Sequence, residues 1–268
     1  MPTWDKWNKY LTLIQNKELE KHLPETMRFS TEKELWDFTD KYPSVILKPI
    51  MGSRGRNIFK VSALESDKFE IHYLNSTMEF IGRYYTYSYF KKKKAPRRTY
   101  LAQRYISLAN IQGRPFDIRV IVQKQKNSNN WVVTGKVAKL AGQGFFVTNN
   151  QLSSGSVLPV VEAIKASNIH KADGNGEKLV SELERIALLA TKTLEPLYKG
   201  HPIYGFDMGI DSDGHIWIIE ANLHPALSHF YKLQDKTMYR TIKKMRGGKI
   251  LKVRRVKKRK IGRVKKLR

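Results

Sequence analysis

A chain of 268 residues, 41% hydrophobic and 11% aromatic, can bury a real core as one large domain or two lobes, which excludes a disordered chain. It has no cysteine, so disulfides and Cys-ligated zinc or iron–sulfur sites are excluded. The formal charge of +26 is unevenly spread: residues 249–268 hold 12 Lys/Arg and no acid, and "KKKKAPRR" (Lys91–Arg98) holds six positives in eight residues. Such runs either sit in solvent or attract polyanions, whether nucleic acid, anionic membrane or an acidic cell structure. No helix-turn-helix, zinc-finger or RNA-binding sheet motif accompanies them, which argues against specific nucleic-acid recognition. The N-terminus lacks the apolar segment of a signal peptide, and no uncharged apolar run approaches the roughly 18–20 residues of a membrane span. The expectation is a soluble, cytoplasmic protein.

Taken in chain order, residues up to about Lys21 show helical spacing (Trp4, Trp7, Leu11, Ile14). "STEKELWDFTDKY" predicts a capped helix, with Thr31 at the N-cap and Glu34 completing a capping box. "SVILKPI" (44–50) predicts a short buried strand, and "MGSRGRNIFKV" a glycine-rich turn into a second one. A basic loop then leads to a strand near 99–106. "FDIRVIVQK" and "WVVTGKVAKLA" flank "QKNSNN" as an antiparallel hairpin, and residues 174–198 form the clearest amphipathic helix. "YGFDMGID" and "HIWIIEAN" flank "DSDG", an Asp-Gly turn between two strands. The folded body ends near Met245, before a basic tail.

Two stretches carry chemistry. In "ILKPIMGSRGRNI", Lys48 ends a buried strand before a loop with Gly52 and Gly55, where backbone N–H groups can approach an anion. Neither the Walker nor the dinucleotide spacing is present, and taken alone this turn is as well an ordinary hairpin. In "YGFDMGIDSDGHIWIIEANLHP", Asp207 and Asp211 share a face of one strand, and Glu220 and Asn222 share a face of its partner. A turn at "DSDG" sets Asp207 across from Glu220 and Asn222. Two carboxylates and an amide oxygen suit a hard cation such as Mg²⁺ or Mn²⁺. "WIIEAN" is too apolar for a free surface hairpin. "DSDG" lacks EF-hand spacing, the histidines lack zinc spacing, and there is no nucleophile elbow.

"LKPIMGSRGRNI", "AQRYI", "FDIRVIV" and "GFDMGIDSDGHIWIIEANLHP" resemble, in order and spacing, the ATP-grasp superfamily over residues 1–235, and most closely its spore-coat-associated YheC/YheD group. The resemblance implies an α+β fold of two lobes with ATP between their sheets: an ATP-grasp domain over 1–247, with a smaller lobe about 30–105 and a larger one about 106–247, then a tail over 248–268. It also implies site residues by position. Lys48 contacts the nucleotide, with Lys6 as a looser match, and Gly52, Ser53 and Gly55 close over the phosphates. Gln103, Arg104, Tyr105 and Ile106 line the adenine pocket, and Asp117 meets the ribose. Arg119 and Lys139 hold the transferred phosphoryl group, while Asp207, Glu220 and Asn222 hold Mg²⁺ or Mn²⁺. Asn149 and Gly155 in "VTNNQLSSGS" fit the acceptor-side loop of RimK-like ligases. The chain begins four residues before Asp5, so the expectation is a fold without the α/β domain that precedes this point in D-alanine–D-alanine ligases. Those ligases also carry a basic residue two positions before the first metal acid, where this chain has Gly205. The implied function is a carboxylate–amine ligase working through an acyl phosphate on unknown substrates, a peptide or protein among them. A nucleotide-binding structural protein of the spore coat or envelope, its tail on an acidic surface, and an ATP-grasp kinase are the alternatives.

Overall fold

A computed structural model describes residues 5–52, 56–125, 128–148, 155–169 and 176–247. Ser53 and Gly55 of the glycine-rich turn, Asn149 and the basic tail lie outside the described residues. The chain opens with two helices, α1 (Lys6–Ile14) and α2 (Lys17–Glu20), rather than one continuous helix. Asp5 caps α1 by accepting from the Asn8 amide, and Asn16 caps α2 by accepting from the amides of Glu18 and Leu19. An Asn side chain that offers itself to the backbone restarts the helix, which apolar spacing does not reveal.

The next elements build one sheet and its helical cover. They are β1 (Thr26–Phe29), α3 (Glu32–Lys41), β2 (Ser44–Pro49), β3 (Phe59–Ala63), β4 (Lys68–Tyr73), β5 (Ser76–Ile81), α4 (Arg83–Lys93) and β6 (Tyr100–Arg104). The sheet is antiparallel in the order β1-β6-β2-β3-β4-β5. The predicted Thr31–Glu34 capping box is present on α3, a device worth about 1 kcal/mol. The basic stretch differs from expectation. Lys91–Lys93 form the last turn of α4, and only residues from Lys94 belong to the loop. Lysines at a helix C-terminus meet the negative end of its dipole, so the charge run is compatible with helix. One face of this sheet packs Val45, Leu47, Phe59, Val61 and Ile71 against Leu35, Trp36 and Phe38 of α3 and Phe90 of α4. The alternate residues Ile46, Lys48 and Gln103 point to the opposite face.

The second sheet follows: β7 (Asn110–Ile111), β8 (Arg114–Lys124), β9 (Trp131–Leu140), β10 (Ser156–Leu158), α5 (Val160–Lys165), α6 (Gly176–Leu194), β11 (Ile203–Ile210), β12 (Ile216–Asn222), α7 (Ser228–Lys232) and α8 (Thr237–Met245). Its order is β10-β9-β8-β11-β12, with β7 on β8, and both predicted hairpins, β8–β9 and β11–β12, are formed. On one face Phe116, Ile118, Val120, Tyr204, Phe206 and Met208 meet α1, α2, α5 and α6. Helix α6 presents Val180, Leu183, Ile186, Ala187, Ala190 and Leu194 to that core, and each large side chain buried contributes roughly 1.5–3 kcal/mol.

The other face of the second sheet is divided. Ile121, Val137 and Ile203 are covered by Phe230 and Leu233 near α7 and Ile242 of α8, while Asp117, Arg119, Lys139 and Asp207 are left to face the first sheet. Glycine draws that boundary. A Cβ at Gly135 would lie 2.8 Å from Phe230 and Ile242, and one at Gly205 would lie 2.4 Å from the Pro225 ring. The stretch after Asn222 therefore packs directly on β11, and no side chain fits at 205. We expect Gly205→Ala to destabilise the protein by about 1–3 kcal/mol through overpacking. Urea unfolding measures this, and an unchanged midpoint would mean that Pro225 moves aside freely.

A second tie joins α2 to β12. Nδ1 of His22 donates to the Ile216 carbonyl at 2.8 Å, and its ring stacks on His215 with centroids 5.0 Å apart. Burial, with His215 adding to it, holds the His22 pKa below its ordinary value against the pull of the Ile216 carbonyl. The folded state thus binds fewer protons than the unfolded one. The stabilisation is complete above the unfolded value of about 6.5 and is lost as pH falls towards the folded pKa. We expect the melting temperature to drop between pH 7 and 5.5, and to drop less in His22→Asn. Identical slopes in the two proteins would assign the acid sensitivity elsewhere.

Candidate functional site

Strand register gathers the polar residues of the second sheet into one ladder. Asp117 lies opposite Lys139, Arg119 opposite Asp207, Asp207 opposite Glu220, and Gly205 opposite Asn222. Asp207 is the centre of this row. Arg119 donates to both its oxygens at 2.8 Å, Lys139 donates to Oδ1 at 2.6 Å, and Asn222 donates to Oδ2 at 3.1 Å. Lys139 also lies 2.8 Å from Asp117, whose other oxygen accepts from the Thr148 hydroxyl. Burial opposes the charge on Asp207, but Arg119 and Lys139 outweigh it and hold the carboxyl well below the usual range. Burial dominates at Asp117 and raises its pKa to about 6 despite Lys139.

Across the cleft, Lys48 donates to Gln103 Oε1 at 2.8 Å and to the Ile219 carbonyl at 3.3 Å. The second contact depends on a bulge. Asp207 pairs with Glu220 but Met208 pairs with Ile218, so Ile219 is the extra residue of β12 and turns its carbonyl towards the first sheet. Burial lowers the Lys48 pKa to about 8. Gln103 is itself fixed by donating to Thr26 at 2.8 Å. Lys6 lies 3.5 Å from Glu220 and donates to the Gly52 carbonyl at 2.6 Å, which ties the glycine-rich turn to the acid.

The cleft between the sheets has a volume of about 440 Å³. It gathers Lys48, Gln103, Arg104, Tyr105, Ile106, Asp117, Arg119, Lys139, Asp207, Glu220 and Asn222, all singled out from sequence. Lys6 and Gly52 stand beside it, next to Glu220. Asp211, grouped with Asp207 by spacing, serves the hairpin turn instead, accepting from the amides of Asp213 and His215 and from Trp217 Nε1. A larger, open hollow of about 1070 Å³ near Gln123 and Arg246 has no carboxylate among the described residues that line it.

Sequence reasoning missed several residues. Lys9 is buried and donates to the Ala221 carbonyl at 2.6 Å, one turn beyond Lys6 on α1, a spacing that could have been read. Thr148 and His229 reach the cleft from irregular or short segments with no periodicity to betray them. Burial, with Lys139 and Arg119 adding to it, lowers the His229 pKa to about 4, and its Nδ1 has no hydrogen-bond partner among the described residues.

The chemistry of the site follows from its charges. Lys6, Lys9, Lys48, Arg104, Arg119 and Lys139 stand against Asp117, Asp207 and Glu220, a surplus of three cations in a partly enclosed space. Such a surplus recognises a polyanion of phosphate size, and low local dielectric strengthens each contact. Asp207, Glu220 and Asn222 supply oxygens from adjacent strands on one face, a donor set that fits a hard divalent cation. No cluster of three or more His, Cys, Asp and Glu forms among the described residues, so Asn222 is needed to complete the set.

Similarity to known proteins agrees with this geometry. A family model described as "YheC/D like ATP-grasp" matches residues 1–246. The chain is 25% identical over 233 residues to the endospore coat-associated protein YheD of Bacillus subtilis (strain 168), covering 85% of this chain and 49% of that protein. It is 23% identical over 230 residues to YheC of the same organism, covering 83% and 60%. It thus spans about half to three fifths of the length of these relatives. The fold is similar to that of N5-carboxyaminoimidazole synthase from Aspergillus clavatus, solved with ADP and 5-aminoimidazole ribonucleotide (TM-score 0.53, 13% identity, 91% of this chain and 52% of that one). It is also similar to that of L-amino acid ligase from Bacillus licheniformis (TM-score 0.53, 14% identity, 90% and 47%). Phosphate-sized cationic surplus, a hard-cation donor set and a cleft between two antiparallel sheets all accord with a family whose ligands are ATP and a divalent metal: the chain belongs to the YheC/D-like ATP-grasp family.

Proposed function

We propose that this protein is an ATP- and Mg²⁺-dependent ligase that joins a carboxylate to an amine through an acyl phosphate, with a peptide or protein among its acceptors. The observation that carries this reading is the Lys139–Asp117–Arg119–Asp207–Glu220 ladder facing Lys48 across one cleft. In the first half-reaction the carboxylate oxygen bonds the γ-phosphorus and the bond to ADP breaks. In the second the amine bonds the carbonyl carbon, inorganic phosphate leaves and the amine loses its proton.

The residues act by position and charge, since phosphoryl transfer asks for little acid–base help. Lys48 meets the nucleotide phosphates, and Gly52 with the turn beyond it covers them. The segment Gln103–Ile106 borders the adenine, and Asp117 reaches the ribose side or orients Lys139. Arg119 and Lys139 face the transferred phosphoryl group, where developing charge is greatest. Asp207, Glu220 and Asn222 would hold Mg²⁺ or Mn²⁺, and such an ion supplies charge neutralisation of the phosphates. A second reading has a specific support: both relatives are named as endospore coat-associated. On that reading the protein binds ATP in or beneath the coat with little turnover. No helix among the described residues is long and apolar enough to cross a membrane.

ADP release from Mg-ATP with a panel of carboxylates, with and without amines, separates these readings. Amine-dependent release is the expected result. A stable phosphorylated product indicates a kinase, and tight ATP binding without release indicates the coat protein. Glu220→Ala should raise the barrier by roughly 2–4 kcal/mol, about a 30- to 900-fold loss. Full turnover with unchanged Mg²⁺-dependent nucleotide binding in that variant would sink the metal assignment.

Lys48 gives a pH test. Its ammonium must be protonated to hold phosphate, and in the free protein it titrates at about 8. ATP affinity should therefore fall as pH rises through 8, with proton uptake on binding near that pH. Titration calorimetry in buffers of different ionisation enthalpy reads the uptake. A binding enthalpy independent of the buffer at pH 8 would remove Lys48 from the phosphates.

A further inference from the structure

The run Lys91–Arg98 has no internal counter-charge. No Asp or Glu occurs between Glu79 and Asp117, and none of these six cations forms an ion pair with a carboxylate among the described residues. Lys91–Lys93, Arg97 and Arg98 are exposed, and Lys94 is half-buried. Helix-end charge accounts for one or two lysines, not for six cations across the helix end and its loop.

The run is also wired to the cleft. Lys94 Nζ donates to the Arg98 carbonyl at 3.5 Å, and Arg98 donates to the Met51 carbonyl at 3.2 Å. The Ile50 amide donates to the Thr99 carbonyl at 2.9 Å. The next residue of the glycine-rich turn, Gly52, accepts from Lys6, which reaches Glu220. The loop end of the run, Arg98 and Thr99, therefore lies against residues 50–52 of the glycine-rich turn, and through Lys6 that turn is joined to Glu220 of the cleft.

The side chains around the run narrow the chemistry of that ligand. Tyr87, Tyr89 and Tyr100 are already covered by Lys91, Lys93 and Lys94, with ammonium-to-ring distances of 5.8, 5.9 and 5.8 Å. They offer no free platform for stacking bases, which single-stranded nucleic acid binding uses. The exposed Tyr84 and Tyr85 sit at the opposite end of α4, beside the Arg83–Asp40 ion pair. Between Lys91 and Arg98 the apolar residues are Ala95 and Pro96 alone, too little to enter a lipid interface. What remains is a cluster of four ammonium and two guanidinium groups with no carboxylate partner among the described residues, which complements carboxylates spaced along a chain.

We propose that Lys91–Arg98 is a docking surface for an acidic polypeptide, which the run holds beside the glycine-rich hairpin at the entrance to the cleft. Resting on the ligase reading, this makes the substrate class a carboxylate-rich peptide, whose side-chain carboxyl is the group activated.

The test uses the full chain and a fluorescein-labelled poly-L-glutamate of about 15 residues, read by anisotropy at low salt. Replacing Lys91, Lys92, Lys93 and Lys94 by Ala should weaken its binding at least five-fold and leave Mg-ATP binding unchanged, while replacing all four by Arg should restore it. Carbodiimide, which joins neighbouring amines and carboxylates, should place cross-links on Lys91–Lys94. Unchanged affinity in the Ala variant, or cross-links confined to the tail after residue 248, would overturn the proposal. So would tighter binding, with displacement of poly-glutamate, by a single-stranded oligonucleotide or by phosphatidylglycerol vesicles. None of these readouts needs turnover, so absence of ADP release would fail the ligase reading alone.

Discussion

The site depends on one buried carboxylate. Asp207 sits at the middle of the second sheet with two cations aimed at it, and the arrangement is stable only as a unit. Taking any of these charges out of water is costly, and their mutual attraction repays the cost only when the hydrogen bonds are complete. Arg119 supplies two parallel bonds, Lys139 a third and Asn222 a fourth. The cage keeps Asp207 ionised at every physiological pH and fixes Arg119 and Lys139 in the direction of the cleft. Glu220, a quarter exposed and 3.5 Å from Lys6, makes no such set of hydrogen bonds among the described residues and is the more available carboxylate of the pair.

Much of this was legible in the sequence because strands are periodic. Alternation in "FDIRVIV" and "YGFDMGI" separates Asp117, Arg119, Gly205 and Asp207 from the apolar residues between them, and the Asp-Gly turn fixes which strands are partners. Register then follows closely enough to set Asp207 opposite Glu220. What spacing could not supply was irregularity. The bulge at Ile219, which sends a carbonyl to Lys48, has no signature in "WIIEAN". The break at Asn16 was hidden because the apolar residues on either side keep helical spacing. Helix α4 was hidden because a run of like charges reads as a loop until the dipole of the helix is considered. His229 and Thr148 enter the cleft from segments whose course is set by tertiary packing alone.

The two sheets divide the work. The first brings Lys48, Gln103 and the glycine-rich hairpin, each at or beyond a strand end, where backbone can be exposed. The second brings Asp117, Arg119, Lys139 and Asp207 from strands with a neighbour on both sides, which restricts each side chain, and Glu220 from the edge strand β12. The division has a cost in the second sheet: one face must be apolar and the other charged within the same strands. Gly135, Gly205 and the Phe230–Ile242 cover mark where the charged region stops.

The contact between Gly205 and Pro225 bears on how this family can change. The resemblance to D-alanine-type ligases implies a basic side chain at the position of Gly205. Here the proline ring fills the space that even a methyl group would need. A single substitution at 205 meets a steric barrier, and a single substitution at Pro225 frees a stretch of chain with nothing yet to replace it. The two positions can exchange roles only together. A side chain at 205 therefore calls for a change at Pro225 as well, and one contact couples the composition of β11 to the course of the chain after β12.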